Sequence, residues 1–174
     1  MELTAKSNET YFITISVVYW IDLFTRLEYK DLIIDNLTFC QKNKGLEIYS
    51  YVIMSNHLHL ICRSLEKPLS DVLRDFKTFT SKELYKALKE NPRESRKDWM
   101  ISLFDKAGMM NVLNKNHQLW QNDNQPIFIL NHGQFLIKRN YIHQNPVKSG
   151  FVAYDYEYLY SSANEKSPLK VNEY

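Results

Sequence analysis

The chain has 174 residues, of which 44% are hydrophobic and 14% aromatic, enough to fill the core of a single domain. Its formal net charge of +2 is too small to indicate a polyanionic partner, so any surface for nucleic acid would have to be local. Only four glycines occur, and no glycine-rich phosphate-binding motif is present, which disfavours the common nucleotide-cofactor chemistries.

The two cysteines, Cys40 and Cys62, lie in apolar patterned segments without the spacing of a thiolate zinc site. We interpret them as buried free thiols of a protein in a reducing cytoplasm. The first residues lack the apolar region of a secretion signal, and no apolar run is long enough to span a bilayer. The sequence therefore predicts a soluble cytoplasmic protein with one domain over residues 1–174 and no membrane partner.

Apolar periodicity predicts a series of helices and strands. In chain order they are a strand at 11–19, a helix at 28–43, strands at 46–54 and 57–63, a helix at 69–90, a shorter helix at 99–111, strand segments within 116–130, and a helix at 131–145 that ends before Pro146. Ser55 and Asn56 form the two-residue turn of a hairpin, and Ser70 is expected to cap the helix after Pro68. Residues 91–98 predict a mobile loop, and the tail at 165–174 is expected to fray.

This order predicts an α+β fold with a ferredoxin-like βαββαβ core. In such a fold an antiparallel sheet carries its helices on one face, and a C-terminal helix carries Tyr141. Strand alternation points Leu58 and Leu60 toward the helices. The opposite sheet face is then free of these helices, and an open face is a surface on which a long, flat ligand can lie.

Two histidines lie one residue apart in the stretch YVIMSNHLHLI at 51–61. Because strand side chains alternate, His57 and His59 share the face opposite to Leu58 and Leu60. Two neutral imidazoles on one strand face make half of a metal site. The alternative interpretation is a pair of partly buried histidines with hydrogen-bonded rings, and the pair alone does not decide between the two.

The last predicted helix carries Tyr141 and Asn145 four residues apart, so a phenol and an amide project from the same helix face. Packing and helix capping are the alternative interpretation of this pair. The remaining histidines, His117, His132 and His143, are interpreted as structural or exposed residues. His143 lies two residues from Tyr141 and should point to another side of the helix.

Several stretches together resemble the REP-associated tyrosine transposases, single-tyrosine HUH endonucleases that act on single-stranded DNA. The resemblance covers nearly the whole chain as one IS200-like transposase domain. It lies in YVIMSNHLHLI at 51–61, LSDVLRDFKTFTSKEL at 69–84, LWQND at 119–123, NYIHQNPVKSGFV at 140–152 and YLYSSAN at 158–164. The family pattern implies that His57 and His59 bind a divalent metal ion, that Asn145 completes the metal or phosphate contact, and that Tyr141 is the nucleophile. Related insertion-sequence transposases usually carry Gln at the position of Asn145.

The resemblance implies an enzyme that cleaves and rejoins single-stranded DNA at hairpin-bearing sites through a 5′-phosphotyrosine intermediate. A metal ion would polarise the scissile phosphate that Tyr141 attacks. Mg²⁺ prefers oxygen ligands, so the two imidazoles leave Mn²⁺ open as the cofactor. A monomer and a homodimer are both compatible, because related transposases can take the tyrosine helix from a partner subunit. Such a protein would be nucleoid-associated when bound to DNA.

Basic and aromatic side chains for holding DNA phosphates and bases are spread along the chain. They are Arg63, Arg74, Lys77, Trp120, Lys138, Arg139 and Lys148, with the tyrosine cluster at 154–160. Two other functions fit the residues. One is a non-cutting relative that binds structured single-stranded DNA on the same sheet, and the other is a small metal hydrolase that uses His57 and His59.

Overall fold

The computed structural model describes residues 8–111, 116–124 and 126–174. Its strands and helices are β1 Tyr11–Ser16, α1 Leu27–Asn43, β2 Leu46–Ile53, β3 His57–Ser64, α2 Leu69–Glu90, α3 Lys97–Met109, β4 Ile127–Phe128 and α4 His132–Lys148. Short 3₁₀ turns lie at Val18–Trp20, Leu23–Thr25 and Asp155–Glu157. The predicted order of strand, helix, hairpin, helix and later strand is confirmed.

The four strands form one antiparallel sheet in the order β2-β3-β1-β4. With the helices between them, they make the predicted ferredoxin-like α+β fold. The hairpin has the predicted two-residue turn, because the Met54 amide donates to the His57 carbonyl at 2.8 Å across Ser55 and Asn56. A register shift between Ile48 and Ser50 marks an irregularity in β2.

One face of the sheet is buried beneath α1 and α2. Ile13, Ile15, Leu58 and Leu60 are fully buried there, as the alternation of β1 and β3 predicts. They share one apolar cluster with inward-facing side chains of both helices, which supplies most of the driving force for folding. We call this side of the sheet the core face.

The opposite face, which we call the histidine face, is only partly open because α4 packs across it. Phe12, Val52 and Ile61 lie on this face and contact Phe135 and Ile142 of α4. As predicted, α1 and α2 leave this face uncovered, and the helix that carries Tyr141 packs across part of it. The apolar side chains of this face form a second, smaller buried cluster than that of the core face, and α4 provides part of the cover.

Three boundaries differ from the sequence prediction. β1 ends at Ser16, and the chain then turns through two residues with positive φ, Tyr19 and Trp20. The residue before the first helical position of α2 is Pro68, and no side chain caps this end, so the predicted Ser70 cap is wrong. α4 continues through Pro146 to Lys148, because the missing N–H of a proline in the last turn removes only one helical hydrogen bond.

The predicted loop at 91–98 is shorter than expected, because α3 begins at Lys97. Glu94 in this loop is only 3% exposed. It accepts hydrogen bonds from Arg26 at 2.8 Å and from Arg96 at 3.1 Å. The loop is thus tied to the start of α1, and the mobility expected for it stays a prediction.

The C-terminal segment packs along β2. The Tyr160 carbonyl accepts a hydrogen bond from Ile53, and the Asn172 amide donates to the Ile48 carbonyl. Leu169 is buried, and the Tyr174 ring stacks at the far end of this segment on an aromatic ring of α4. The tail expected to fray therefore has partners along its length.

Cys40 and Cys62 are both free and buried, as predicted. Burial raises the pKa of both thiols, that of Cys62 to about 12, which leaves them unreactive near neutral pH. Over the described ranges, none of the helices is both long and apolar enough to cross a bilayer.

Candidate active site

β3 and α4 bring the predicted site residues into one cluster. The ring centroids of His57 and His59 are 4.8 Å apart on the histidine face. The Tyr141 ring lies 5.3 Å from the His59 ring, and the Asn145 side chain forms a hydrogen bond with His57. Phe12 of β1 stacks on His59 with a centroid distance of 5.2 Å and forms the apolar wall of the cluster. Residue spacing predicts the pairs His57–His59 and Tyr141–Asn145, and the fold brings the two pairs into contact.

Each imidazole is held at its Nδ1 atom by a polar neighbour. His57 Nδ1 donates to Asn56 Oδ1 at 2.7 Å, and His59 Nδ1 lies 2.9 Å from Thr14 Oγ1. With Nδ1 engaged, the Nε2 lone pair of each ring is the one left for a metal ion. Sequence reasoning missed both partners. The signal was available, since strand alternation puts Thr14 on the face opposite to Ile13 and Ile15, and Asn56 lies in the predicted turn before His57.

Burial keeps both imidazoles neutral. It lowers the pKa of His57, and the hydrogen bond with Asn145 opposes this change. Burial lowers the pKa of His59 to about 3, and the neighbouring His57 and the Lys138 ammonium add to the change. A neutral imidazole is the form that binds a metal ion, so the shifts favour ligation.

The donor set of this cluster fits a divalent cation. Two neutral imidazoles and the Asn145 amide oxygen offer mixed nitrogen and oxygen ligands, which suit Mn²⁺ and other transition ions better than Mg²⁺. In the part of the chain that the structure describes, no group of three or more His, Cys, Asp or Glu side chains could hold a metal ion. Among the residues that the structure describes, a third protein ligand beside His57 and His59 would therefore be of another type, such as the Asn145 amide.

Tyr141 lies at the edge of the cluster and is 43% exposed. Its ring packs edge-on against Phe12 at 5.8 Å, which leaves part of the phenol toward solvent. Lys138 Nζ lies 4.7 Å from the centre of the Phe12 ring, and Lys148 Nζ lies 5.9 Å from the centre of the Tyr141 ring. Because Lys138, Tyr141, Asn145 and Lys148 are three, four and three residues apart, they follow one face of α4. A phosphate at Tyr141 would meet positive charge on both sides.

Three of the predicted DNA contacts lie away from the α4 stripe, the helix face that carries Lys138, Tyr141, Asn145 and Lys148. Arg63 is at the far end of β3, where its Nε donates to Glu47 at 2.6 Å. Arg74 lies on α2, behind the core face, and pairs with Asp71 at 2.7 Å. Arg139 is exposed on α4, and it follows Lys138 directly in the sequence, so it points away from the stripe. Their roles in DNA binding stay predictions.

Two other predicted DNA contacts are engaged inside the protein. Lys77 Nζ donates to the Gln121 carbonyl at 2.6 Å and to Asn124 Oδ1 at 3.0 Å, and burial lowers its pKa to about 8. Trp120 is only 4% exposed and stacks against Phe24 at 5.8 Å. The prediction that Trp120 stacks on bases is corrected, because its ring belongs to the hydrophobic core.

The remaining histidines have structural contacts, as interpreted from the sequence. His143 Nε2 lies 2.9 Å from Ser162 Oγ and 3.3 Å from Ser50 Oγ, so it ties α4 to β2 and to the C-terminal segment. The other two, His117 and His132, stack on neighbouring aromatic rings.

The tyrosine cluster at 154–160 divides into two pairs. Tyr154 and Tyr156 are each 59% exposed, and their rings stack at 5.5 Å. Tyr160 is buried, and the Tyr158 hydroxyl donates to the Ile53 carbonyl at 2.8 Å. Only the first pair is open to a ligand.

Comparison with known proteins gives a family for the chain and solved structures of similar fold. Residues 6–107, more than half of the chain, match the family model described as "Transposase IS200 like". A structure of a REP-associated tyrosine transposase bound to a REP hairpin is similar, with a TM-score of 0.63, 19% identity, and coverage of 91% of this chain and 78% of that one. A putative transposase from Deinococcus radiodurans R1 gives a TM-score of 0.46 and 14% identity, covering 78% of this chain and 89% of that one. Curated proteins gave no match.

Proposed function

The chain belongs to the IS200-like transposase family, and on this premise we propose that it is a metal-dependent enzyme that cleaves and rejoins single-stranded DNA at hairpin-bearing sites. The observation that carries the proposal is the placement of Tyr141 against the imidazole pair, with its ring 5.3 Å from that of His59. The similar solved structure is that of a REP-associated tyrosine transposase bound to a REP hairpin, which supports hairpin DNA as the substrate class.

In the proposed reaction, Tyr141 Oη attacks the phosphorus of the scissile phosphodiester. The bond from phosphorus to the 3′ oxygen breaks, the 3′ oxygen takes up a proton, and the 5′ phosphate stays esterified to Tyr141. A phenol is a weak nucleophile until its proton is removed or shared, so the site has to assist it. Because the new ester conserves the energy of the old one, attack by another 3′ hydroxyl rejoins strands without ATP.

His57, His59 and Asn145 are the residues proposed to hold the divalent ion. When bound, such an ion polarises the phosphate and offsets the charge that develops during attack. Asn56 and Thr14 hold the two imidazole rings in place through their Nδ1 atoms. The low pKa values of the buried rings keep their lone pairs available without competition from protons at neutral pH.

The other residues of the cluster position the DNA strand. Lys138 and Lys148 lie on either side of Tyr141 along α4, where each ammonium attracts a backbone phosphate. Phe12 and Ile61 belong to the apolar cluster on the inner side of the site, and the Tyr141 ring packs edge-on against Phe12. A bound strand would therefore reach Tyr141 from its exposed side, with the scissile phosphate held in line for attack.

A covalent-capture assay tests this proposal. Labelled hairpin oligonucleotides with unpaired flanks are incubated with the protein and either Mn²⁺ or Mg²⁺, and adducts that resist denaturation are mapped by mass spectrometry. Tyr141→Phe should abolish the adduct and leave unfolding unchanged, because phenylalanine keeps the ring contacts. Tyr154→Phe, which alters a phenol that is 59% exposed elsewhere, is the matched control and should cross-link like the wild type.

Each other outcome contradicts a stated part of the proposal. An adduct that persists in Tyr141→Phe excludes this residue as the nucleophile. Tight hairpin binding with no cleavage in either metal identifies a non-cutting DNA-binding protein. Products with water-derived ends and no protein adduct identify a metal hydrolase that uses His57 and His59.

A further inference from the structure

Two consecutive aromatic residues after β1 have unusual backbone conformations. Tyr19 has a φ of 54° and Trp20 a φ of 55°, in the left-handed region that residues other than glycine rarely adopt. About half of each side chain stays exposed, 52% for Tyr19 and 53% for Trp20. Packing of the buried halves is therefore only a partial return for this strain.

Hydrogen bonds to the β2–β3 turn hold the strained segment in place. The Val17 amide donates to the Asn56 carbonyl at 2.9 Å, and Asn56 Nδ2 donates to the Trp20 carbonyl at 3.2 Å. The Phe24 amide donates to the Ser55 carbonyl at 2.7 Å on the other side. The two aromatic residues are thus anchored to the turn that leads directly into the first histidine of β3.

This anchoring places the exposed rings beside the candidate active site. The Trp20 ring meets the His57 ring edge-on at 5.9 Å, and Asn56 contacts both Trp20 and His57. Tyr19 lies on the other side of Trp20 in the chain and borders a groove of about 580 Å³. Carboxamide side chains also line this groove, namely Asn111, Gln118, Gln121 and Asn122. The Trp20 indole thus lies beside His57, and the Tyr19 phenol borders the amide-lined groove.

We propose that Trp20 and Tyr19 form a stacking step for two successive unpaired bases of the DNA strand that leaves the scissile phosphate. Trp20 takes the base nearest His57, and Tyr19 takes the next base at the mouth of the amide-lined groove. This inference rests on the proposed function, because it takes His57 to mark the position of the phosphate. Exposed aromatic rings stack on unpaired bases of any sequence.

The rigid backbone gives the step a physical advantage. Rings that are already fixed in the free protein lose less conformational freedom when a base stacks on them. A flexible loop would present the same side chains with a larger entropic loss on binding. Base stacking therefore gives a role to the exposed faces of two rings whose turn is held by hydrogen bonds and by the buried neighbours Val18 and Ile21.

The test uses hairpin oligonucleotides with unpaired adenine tails on both ends, compared with the same hairpin carrying abasic tails. Binding is measured by fluorescence anisotropy with Mn²⁺ in the Tyr141→Phe background, where no cleavage is expected. Trp20→Ala should weaken binding of the adenine tails by about 5- to 150-fold and leave binding of the abasic tails unchanged. Trp20→Phe should restore most of the affinity. Trp99→Ala, which removes an indole that is 54% exposed on α3, is the matched control.

A second variant separates stacking from a structural role. Trp20→Gly removes the strain at this φ together with the indole, and it should lose the preference for adenine tails whatever its melting temperature. The inference is overturned if Trp20→Gly keeps this preference, or if Trp20→Ala binds the adenine tails as tightly as the parent protein does. If the wild type forms no adduct but Trp20→Ala selectively loses adenine tails, the proposed nuclease reaction fails and the stacking step stands.

Discussion

The two faces of the sheet come from the same strands and have opposite chemical character. On the core face, Leu58 and Leu60 are fully buried among apolar side chains of two helices. On the histidine face, the alternate residues His57 and His59 lie among polar and aromatic neighbours beneath a single helix. Burying a neutral polar group lowers stability unless its hydrogen bonds are satisfied. The core face thus stabilises the fold, and the histidine face can hold polar groups in a fixed geometry.

The largest effect should come from cutting a side chain on the core face. Leu60→Ala should lower the free energy of unfolding by about 2–5 kcal/mol, because it leaves a cavity in the main cluster. Ile61→Ala, on the next residue and the opposite face, should lower it by less. Ile61→Ala should also slow adduct formation by more than the fraction of unfolded protein accounts for, because Ile61 packs beneath α4, the helix that carries Tyr141. Urea unfolding and the rate of adduct formation measure both effects. Equal losses in the two variants would contradict the division between the faces.

A smaller effect should appear in the dependence of stability on pH. The folded protein holds the pKa of His59 at about 3, whereas the ordinary value of 6.5 applies to the unfolded chain. The unfolded chain therefore takes up a proton below pH 6.5 and the folded protein does not. The contribution of His59 to stability is complete above this pH and declines as the pH falls toward 3, by about 2 kcal/mol between pH 7 and pH 5.

His59→Asn provides the comparison for this pH effect. Asparagine keeps a polar group near Thr14 and does not titrate, so part of the decline should disappear in the variant. Urea unfolding of metal-free protein at several pH values measures the difference. If the wild type and the variant lose stability in parallel, the histidine face does not hold a neutral, buried imidazole.

The smallest effect should come from single surface charges. Lys138→Ala and Lys148→Ala should each weaken hairpin binding and reduce the slope of log affinity against log salt concentration by about 0.7–0.9. Arg74→Ala removes a charge behind the core face that is already paired with Asp71, and it should leave the slope unchanged. Anisotropy titrations over a range of salt concentrations measure these slopes. An equal effect of all three variants would show that DNA contacts both sides of the protein.

Local periodicity predicted those parts of the fold and site that depend on neighbours in sequence. Alternation placed His57 and His59 on one face, and helical spacing placed Tyr141 beside Asn145. Spacing alone could not bring the two pairs together, because that contact depends on how α4 packs against the sheet. The resemblance to the transposase family supplied that link.

Contacts between distant residues explain the predictions that failed. Trp120 looked available for stacking, but its indole donates to Thr80 Oγ1, about forty residues earlier, and lies in the core. The predicted strand ran to Tyr19, because no glycine marks the left-handed turn at Tyr19 and Trp20. Hydrogen bonds to the β2–β3 turn stabilise that turn, and such tertiary contacts leave no local pattern.

The C-terminal segment along β2 also bears on aggregation. The sheet order leaves β2 and β4 at the edges, and unpaired strand edges recruit strands of other molecules. β4 has only two residues, whereas the outer edge of β2 is hydrogen-bonded by Tyr160, Ser162 and Asn172. The segment thus shields an eight-residue strand from cross-β association between copies. Proteolytic loss of this cover would expose the edge of β2 to other copies and would also remove the Ser162 and Tyr174 contacts to α4.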